Sequence, residues 1–411
     1  MAQRYDKEEF FTHTLQNGIR CILKRVRSSV CFCSMTIGAG SREERVGEYG
    51  IAHLLEHTLF KGTSKRKAWQ VNCRLENLGG EINAFTTKEE TVVHATTLRA
   101  DFGKAVELID DIIFHSTFPQ TEVDKEKAVV YDEIGIYKDS PDERIYDEFE
   151  ELLFASSELG HNVLGSKATL KSATSSKLRG FVERNYTTDN MVFAAIGNIT
   201  PRHFVNTVER YFGAEQPTTR STTRVAPAVV QEFHKEIGRS MHQVREVMGT
   251  RAYALNDRRR LPLILLCNLL GGPTAASRLN VALRERNALT YCVESIYTPL
   301  SDVGVFTIFF SCDKDNLGQC REIINKELEQ LMEVPLTQRQ LTVAKKQLIG
   351  QLAISAENNE AYMLGVGKSY LVFGEVDSTE EVYEKINAIT PEDIIAVARD
   401  TFSTLSSLTY K

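Results

Sequence analysis

The sequence lacks several features that would place it in a specialised class of protein. No stretch of its 411 residues approaches 18 uncharged apolar positions, so we expect no membrane-spanning helix. The start of the chain has no apolar secretory segment, and its early acidic residues argue against a mitochondrial transit peptide. The formal net charge is −6 and no basic stripe is present, which argues against a nucleic-acid partner. We therefore expect a cytoplasmic protein with neither a membrane nor a nucleic-acid partner.

Cysteine pairs with metal-binding or redox spacing are also absent. The eight cysteines include no C-x-x-C, and most of them stand within apolar stretches, as small buried hydrophobic residues do. This pattern predicts a reducing compartment and no disulfide framework.

What is present is the composition of a globular protein of more than one domain. The chain is 42% hydrophobic and 25% charged, and its length favours two or three domains. The segment 216–228 reads QPTTRSTTRVAPA, which is too polar and too rich in turn residues to form a core. We therefore predict a first domain over 1–215, a linker over 216–228 and a second domain over 229–411.

The two predicted domains look related to each other. At a constant offset of 216 residues, a helix preceded by threonine recurs with apolar residues at the same positions. The matched pairs are Leu170 with Ile386, Thr174 with Thr390, and Leu178 with Ile394. The fixed offset without gaps predicts a duplicated domain.

The periodicity of the first half predicts mixed strands and helices, which favours an α+β fold over a doubly wound sheet. Predicted strands are 18–24, 30–37, 82–85 and 91–98, and predicted helices are 48–60, 68–78, 101–115 and 121–138. In the second helix the spacing places Trp69 towards the core. His94 and His115 are expected to have structural roles.

One motif carries chemistry, the segment His53-x-x-Glu56-His57. Residues four apart on a helix share a face, so both imidazoles can reach one Zn²⁺ ion. Glu56 borders that face and could accept a proton from water at the metal. The alternative interpretation is a pair of structural histidines on an amphipathic helix.

A third ligand has to come from another segment. The predicted helix 121–138 carries Glu126 and Glu133 seven residues apart, hence on one side, and each has apolar neighbours. Asp132 competes with them but points about 100° away from Glu133 around the helix. These carboxylates could also form an ordinary solvated helix face.

The motif stands in a longer stretch, GSREERVGEYGIAHLLEHTLFKGT, followed by ENLGGEINAFTTKEETVV and EKAVVYDEI. Together these resemble the pitrilysin-type (inverzincin, H-x-x-E-H) zinc metallopeptidases, most closely the mitochondrial processing peptidase branch and its single-chain bacterial members. In that family a glutamate follows the second histidine at a characteristic distance, and counting from His57 arrives at Glu133. The resemblance therefore implies zinc ligation by His53, His57 and Glu133, one ion per chain. It makes Glu56 the general base and Glu126 an acid that supports the site.

The resemblance also implies residues that bind the substrate. The stretch LGGPTAASRLNVALRERNALTYCV in the second half resembles a family segment that supplies an arginine and a tyrosine, here Arg284 and Tyr291. Asn287 stands where the family usually has glycine. Asn83 and Ala84 match the family's edge strand beside the metal, to which a peptide could add as a further strand. Without the family, this segment is a plain hairpin strand.

The fold and function implied by the resemblance are those of a peptidase with two homologous domains. Each domain would have a mostly antiparallel mixed sheet covered by helices, and the two would face each other as a clamshell around a chamber. The second half has no H-x-x-E-H, and its matching helix reads LPLILLCNLLGG, so only the first half should bind metal. We expect a zinc endopeptidase that cleaves short or unfolded peptides and assembles as a homodimer. The alternative is a non-catalytic substrate-binding or assembly subunit of a heteromeric peptidase. The ligand set would also suit Mn²⁺ or Co²⁺.

Overall fold

A computed structural model describes residues 10–221 and 223–411, which form two compact units. Unit 1 contains the described residues up to Ile136 together with His161–Val225 and Ser355–Val376. Unit 2 contains Tyr137–Gly160, Ala226–Ile354 and Asp377–Lys411. Each unit is therefore built mainly from one half of the chain and takes one helical segment from the other half. The division of the chain at 216–228 did not anticipate this exchange.

The sheet of unit 1 is mixed, with strand order β1-β2-β6-β3-β5-β4 among the described residues. All neighbouring strands are antiparallel except β2 and β6, which are parallel. The strands are β1 (Phe11–Thr14), β2 (Arg20–Arg25), β3 (Val30–Ile37), β4 (Glu81–Thr86), β5 (Thr91–Leu98) and β6 (Met191–Gly197).

The sheet of unit 2 has the order β7-β11-β8-β10-β9, in which only β7 and β11 are parallel. Its strands are β7 (His234–Ile237), β8 (Val244–Ala252), β9 (Thr290–Pro299), β10 (Gly304–Cys312) and β11 (Ser406–Tyr410). Apart from the additional β1 of unit 1, the two sheets have the same strand order and the same strand directions. The prediction of two related α+β domains is confirmed.

Helices account for most of the remaining described residues, and several occur at the same point in the order of elements of the two halves. For example, α4 is the second α-helix after β5 and α11 is the second α-helix after β10, and both have 19 residues. The helices are α1 (Ile51–Leu59), α2 (Ala68–Glu76), α3 (Phe102–His115), α4 (Gln120–Lys138), α5 (Pro141–Leu153), α6 (Lys167–Leu170), α7 (Ser175–Asn185), α8 (Pro201–Tyr211), α9 (Arg260–Gly271), α10 (Leu317–Glu333), α11 (Gln338–Ala356), α12 (Asn359–Phe373), α13 (Thr379–Ala388) and α14 (Pro391–Phe402).

Both faces of each sheet are buried, but by helices of different origin. In unit 1 the main core lies between the sheet and helices of the first half, whereas the opposite face packs against Met363 and Val366 of α12. In unit 2 the main core lies against helices of the second half, and the opposite face packs against Ile145 and Phe149 of α5. The exchanged helices therefore complete the burial of both sheets.

The recurring helix of the two halves begins in the same way in both units. Thr174 is the N-cap of α7 and accepts a hydrogen bond from the amide of Lys177. Thr390 is the N-cap of α14, forms a capping box with Asp393, and precedes Pro391 at the first helical position. Threonine caps supply an acceptor to an amide that the helix leaves unpaired, which explains why both copies of the repeat have one.

The structure corrects one placement and extends another. Trp69 is 64% exposed, so the expectation that it faces the core is wrong. Pro141, which follows the predicted helix 121–138, is the first residue of α5. Proline suits the first turn of a helix because its missing N–H has no partner there.

The predicted linker 216–228 has no helix or strand in its described residues. Arg220 and Arg224 both form ion pairs with Glu43 at 2.8 Å, which binds the first part of the linker to unit 1. No helix in the ranges 10–221 and 223–411 is both long enough and apolar enough to cross a membrane.

Candidate metal centre

The helix that carries the histidines, α1, is fixed at its beginning by a buried carboxylate. Gly50 precedes α1 with φ = 92°, a left-handed conformation that favours glycine. Glu44 accepts hydrogen bonds from the amide of Gly50 at 3.0 Å and from that of Ala52 at 2.7 Å. Negative charge at a helix N-terminus is favourable because the first amides are unpaired and the helix dipole is positive there. Glu44 therefore positions the start of the helix that bears the motif.

One face of α1 is anchored in the core of unit 1. Ile51, Leu54, Leu55 and Leu59 are buried, as the periodicity of an amphipathic helix requires. His53 and His57 lie at the border of this face, with 15% and 17% of their side-chain surfaces exposed. Their ring centroids are 4.7 Å apart, so the two imidazoles are neighbours one helical turn apart.

Helix α4 brings two carboxylates to these histidines. The Oε2 atom of Glu133 lies 3.5 Å from Nε2 of His57 and 3.8 Å from Nε2 of His53. Glu126 contacts the other side of the His57 ring, where its Oε2 lies 3.3 Å from Nδ1. Asp132, the competing candidate, is exposed and does not belong to this group of ligand atoms.

The three candidate ligand atoms have the spacing that a tetrahedral ion requires. Metal–ligand bonds of about 2.0–2.2 Å place neighbouring ligand atoms roughly 3.3–3.6 Å apart. The 3.5 Å separation falls within this range and the 3.8 Å separation is slightly longer, and the three residues each offer a ligand atom within 4.8 Å of the others. The residues present therefore fit a zinc ion.

The hydrogen bonding of His57 supports the same assignment. Lys61 forms an ion pair with Glu126, in which Nζ lies 2.8 Å from Oε1. Glu126 accepts a hydrogen bond from Nδ1 of His57, and a neutral imidazole bound in this way has the lone pair of its Nε2 directed towards Glu133. Two acceptors that face each other at 3.5 Å repel unless a cation lies between them. Metal-binding histidines commonly have such a carboxylate partner on the other ring nitrogen.

Burial sets the protonation states at the site. It lowers the pKa of His53 to about 4, with a contribution from neighbouring His57, so His53 is neutral at pH 7 and able to bind a metal. Burial also raises the pKa of Glu56, although contacts from Thr86 and the charge of His57 oppose it, and the charge of Glu133 reinforces it. A raised pKa makes the carboxylate a better proton acceptor than an exposed glutamate.

The strand that resembles the family's edge strand is β4, and it lies beside α1, the helix that carries the H-x-x-E-H motif. Among the described residues β4 is the last strand of the sheet of unit 1 and pairs with β5 alone, and α1 packs against it. Asn83 is exposed and its side chain accepts a hydrogen bond from the amide of Ala84 at 2.9 Å. A sheet edge of this kind offers unpaired backbone groups to an extended peptide.

Arg284 and Tyr291 belong to unit 2. Arg284 lies in a π-helical turn, Asn280–Glu285, and 55% of its side-chain surface is exposed. Tyr291 lies near the start of β9 and is 83% exposed. Asn287, which replaces the family's glycine, donates from its side chain to the carbonyl of Ala282 at 2.7 Å and so closes this turn. Both donor side chains are available to a ligand.

Sequence reasoning missed the group that caps α1. His161 donates from Nε2 to Glu44 at 2.8 Å and stacks on Tyr49, with ring centroids 4.1 Å apart. The capping acid stands six and eight residues before the amides it binds, outside the usual capping spacing, and His161 is far away along the chain. In the sequence Glu44 stands between charged neighbours, and nothing else nearby marks it as the cap of α1.

Comparison with known proteins shows which family the chain belongs to. Residues 20–167 match the family model described as Insulinase (Peptidase family M16), and residues 172–348 match the Peptidase M16 inactive domain. The chain belongs to peptidase family M16. This M16 chain is 34% identical to an uncharacterized zinc protease of Bacillus subtilis, YmxG, over 95% of both chains. It is 33% identical to an uncharacterized zinc protease of Streptomyces coelicolor, over 96% of this chain and 88% of that one.

Solved structures show the same fold at lower identity. A protease from Helicobacter pylori superposes with a TM-score of 0.89 at 21% identity, covering 98% of this chain and 99% of that one. A peptidase M16 inactive domain from Pseudomonas fluorescens superposes with a TM-score of 0.90 at 19% identity, covering 98% of both. The assignment to the pitrilysin type is confirmed, and the relatives that share about a third of the sequence are named zinc proteases.

Proposed function

We propose that this M16 chain is a zinc-dependent endopeptidase that hydrolyses short or unfolded peptides. The observation that carries the proposal is the convergence of His53 and His57, on the helix that also bears Glu56, with Glu133 of α4, so that one ligand atom from each lies within 4.8 Å of the others. His53, His57 and Glu133 would hold one Zn²⁺ ion. The chemistry zinc supplies when bound is a lowered pKa for water and a polarised peptide carbonyl.

The chain's own residues perform the proton transfers. Glu56 accepts a proton from the attacking water, and the new C–O bond forms at the peptide carbonyl. Glu56 then gives that proton to the amide nitrogen as the C–N bond breaks, so the products are a carboxylic acid and an amine. Glu126 holds His57 in the tautomer whose Nε2 can bind the metal.

We propose that the substrate binds as an extended strand along β4, beside Asn83 and Ala84. Backbone hydrogen bonds at a sheet edge recognise an unfolded peptide with little dependence on its sequence. Arg284 and Tyr291 would bind carbonyl oxygens of the substrate and contribute to stabilising the oxyanion. The enclosed chamber implied by the family resemblance would likewise exclude folded proteins.

A quenched-fluorescence peptide library tests the proposal directly. Cleavage should be abolished by a chelator and restored by Zn²⁺, and Glu56→Gln should reduce kcat by ~10²–10⁴-fold while retaining zinc. The matched control is Glu122→Gln on α4, whose carboxylate accepts a hydrogen bond from exposed Lys125, and this variant should not affect cleavage. A Glu56→Gln variant that cuts at the wild-type rate would contradict the base assignment. If the wild-type protein with zinc bound cuts no peptide, the non-catalytic subunit is the better description.

We propose that two chains assemble as a homodimer in the cytoplasm. The support is the family resemblance, since larger relatives have four such domains in one chain and this chain has two. Light scattering on the purified chain should give about twice the 46.3 kDa mass of one chain. A mass of one chain at micromolar concentration would contradict it.

A further inference from the structure

A second group of candidate metal ligands lies in unit 1, away from the H-x-x-E-H motif. It consists of Asp110 within α3, His115 at the end of the same helix, and Glu215, which directly precedes the linker 216–228. Nε2 of His115 lies 3.8 Å from Oδ2 of Asp110 and 3.6 Å from Oε1 of Glu215. These separations are nearly the same as the 3.5 and 3.8 Å of the motif site.

The burial of Asp110 distinguishes this group from a chance surface cluster. Asp110 is only 5% exposed, and its Oδ1 is buried without a hydrogen-bond partner among the described residues. Its Oδ2 points towards His115, but 3.8 Å is longer than a hydrogen bond. A buried carboxylate without partners is strongly unfavourable unless it binds a cation or a proton.

The neighbouring charges do not supply the missing partner. Asp111 is already bound by Arg66 at 2.5 Å and by Thr63 at 2.9 Å. Lys65 forms no ion pair with any residue in the described ranges and acts on Asp110 only at longer distance. The group is therefore short of positive charge at close range.

The backbone around the group is well fixed, as a binding site requires. The carbonyl of His115 accepts a hydrogen bond from the amide of Ser64 at 2.8 Å, and the carbonyl of Glu215 accepts one from the side chain of Asn17 at 3.1 Å. The three ligand-bearing positions thus belong to ordered segments. Preorganised ligands reduce the ordering that binding would otherwise require.

We propose that Asp110, His115 and Glu215 form a second, structural site for a divalent transition metal such as Zn²⁺. One imidazole nitrogen and two carboxylate oxygens suit zinc, with water in any remaining position. The ion would tie the residue before the linker to the end of α3. From the sequence, His115 is expected to be structural and not a metal ligand. In the proposed site it binds the metal, and the metal has the structural role.

Zinc counting on a variant without the motif site tests this proposal. The full chain with His53→Ala and His57→Ala is dialysed against Zn²⁺, and bound metal is measured by mass spectrometry. We expect one zinc ion per chain, and its loss when His115→Asn is added. The matched control is His13→Ala, an imidazole in the same unit that pairs with a single carboxylate, Glu209, at 2.8 Å. This control should retain the ion.

A second variant keeps the test valid if His115→Asn folds poorly. Asp110→Asn preserves the shape of the buried side chain and should weaken zinc binding by more than the ~10–100-fold typical of losing an outer partner of a metal ligand. Circular dichroism confirms folding, and zinc should raise the melting temperature of the parent variant but not that of the Asp110→Asn variant. No bound zinc in the His53→Ala, His57→Ala chain would overturn the proposal. Zinc retained by both the His115→Asn and Asp110→Asn variants would also overturn it.

Discussion

The two units share one strand order but differ in the helix that follows β3 in unit 1 and β8 in unit 2. In unit 1 this helix is α1, which carries His53, Glu56 and His57 at the border of its buried face. In unit 2 the corresponding sequence, LPLILLCNLLGG, forms α9 and offers neither a histidine nor a carboxylate. The same fold therefore accommodates a helix with candidate metal ligands and a helix without them. In the proposed function the fold positions the site, and a few polar side chains on one helix supply its chemistry.

Removing a motif ligand should give the largest effect. His57→Ala should lower bound zinc by one ion per chain and reduce cleavage by more than the ~10²–10⁴-fold expected for losing a general base alone. Metal content by mass spectrometry and peptide cleavage measure both effects. The control is Cys267→Ala on α9, the helix without candidate ligands. This change should alter neither bound zinc nor cleavage. A loss of zinc in the Cys267→Ala variant would break the distinction between the units.

The exchanged helices provide a stability test of the same comparison. Phe149 of α5 is fully buried, and Phe149→Ala should destabilise the protein by about 3–5 kcal/mol. Hydrogen exchange should show faster exchange in β8 and β10 of unit 2, although Phe149 stands in the first half of the sequence. Met363→Ala in α12 should have the reciprocal effect on unit 1. The exposed control Ile136→Ala should change stability by less than about 0.5 kcal/mol. Faster exchange confined to unit 1 after Phe149→Ala would contradict this assignment.

Unit 2 should affect cleavage without affecting zinc. Arg284→Ala should reduce kcat by ~10²–10³-fold if its guanidinium stabilises the oxyanion. Tyr291→Phe removes only a hydroxyl group and should have a smaller effect in the same direction. Bound zinc should be unchanged in both variants, and steady-state kinetics with one peptide measures the change. Unaltered kcat and KM in both variants would show that unit 2 has no part in the reaction.

The smallest effect is expected from the carboxylate that orients His57. Glu126→Ala should weaken zinc binding by ~10–100-fold, since a partner of a metal-binding histidine is lost while all three ligands remain. Competition with a chelator of known affinity measures the change. At saturating zinc, kcat should recover most of its wild-type value. Failure to recover would indicate that Glu126 does more than orient His57.

Local periodicity predicted most elements of unit 1, because strands and helices place their apolar residues at different spacings along the sequence. The strands 30–37 and 91–98 coincide with β3 and β5, and the helix 101–115 differs from α3 by one residue. Pro141 was interpreted as lying beyond a helix, although it begins the next one. Trp69 was placed in the core because spacing identifies the faces of a helix but not which face another layer covers.

The site was predictable where it depends on local spacing and less so where distant segments meet. His53 and His57 share a face by helical geometry alone. From the residues alone, Glu126, Glu133 and Asp132 stayed open as third ligands, and only the family resemblance selected Glu133. The capping of α1 by Glu44 and the approach of Glu215 to His115 depend on tertiary contacts, so no sequence period indicates them.

The exchange of α5 and α12 between the units has a consequence for the origin of the chain. A polypeptide with a single repeat would make a sheet whose back face its own helix does not cover. Such a molecule could bury that surface only by exchanging the helix with a second copy of itself. If the two repeats descend from one ancestor, we infer that this ancestor was a domain-swapped dimer. Gene fusion would then have joined two copies that already exchanged this helix.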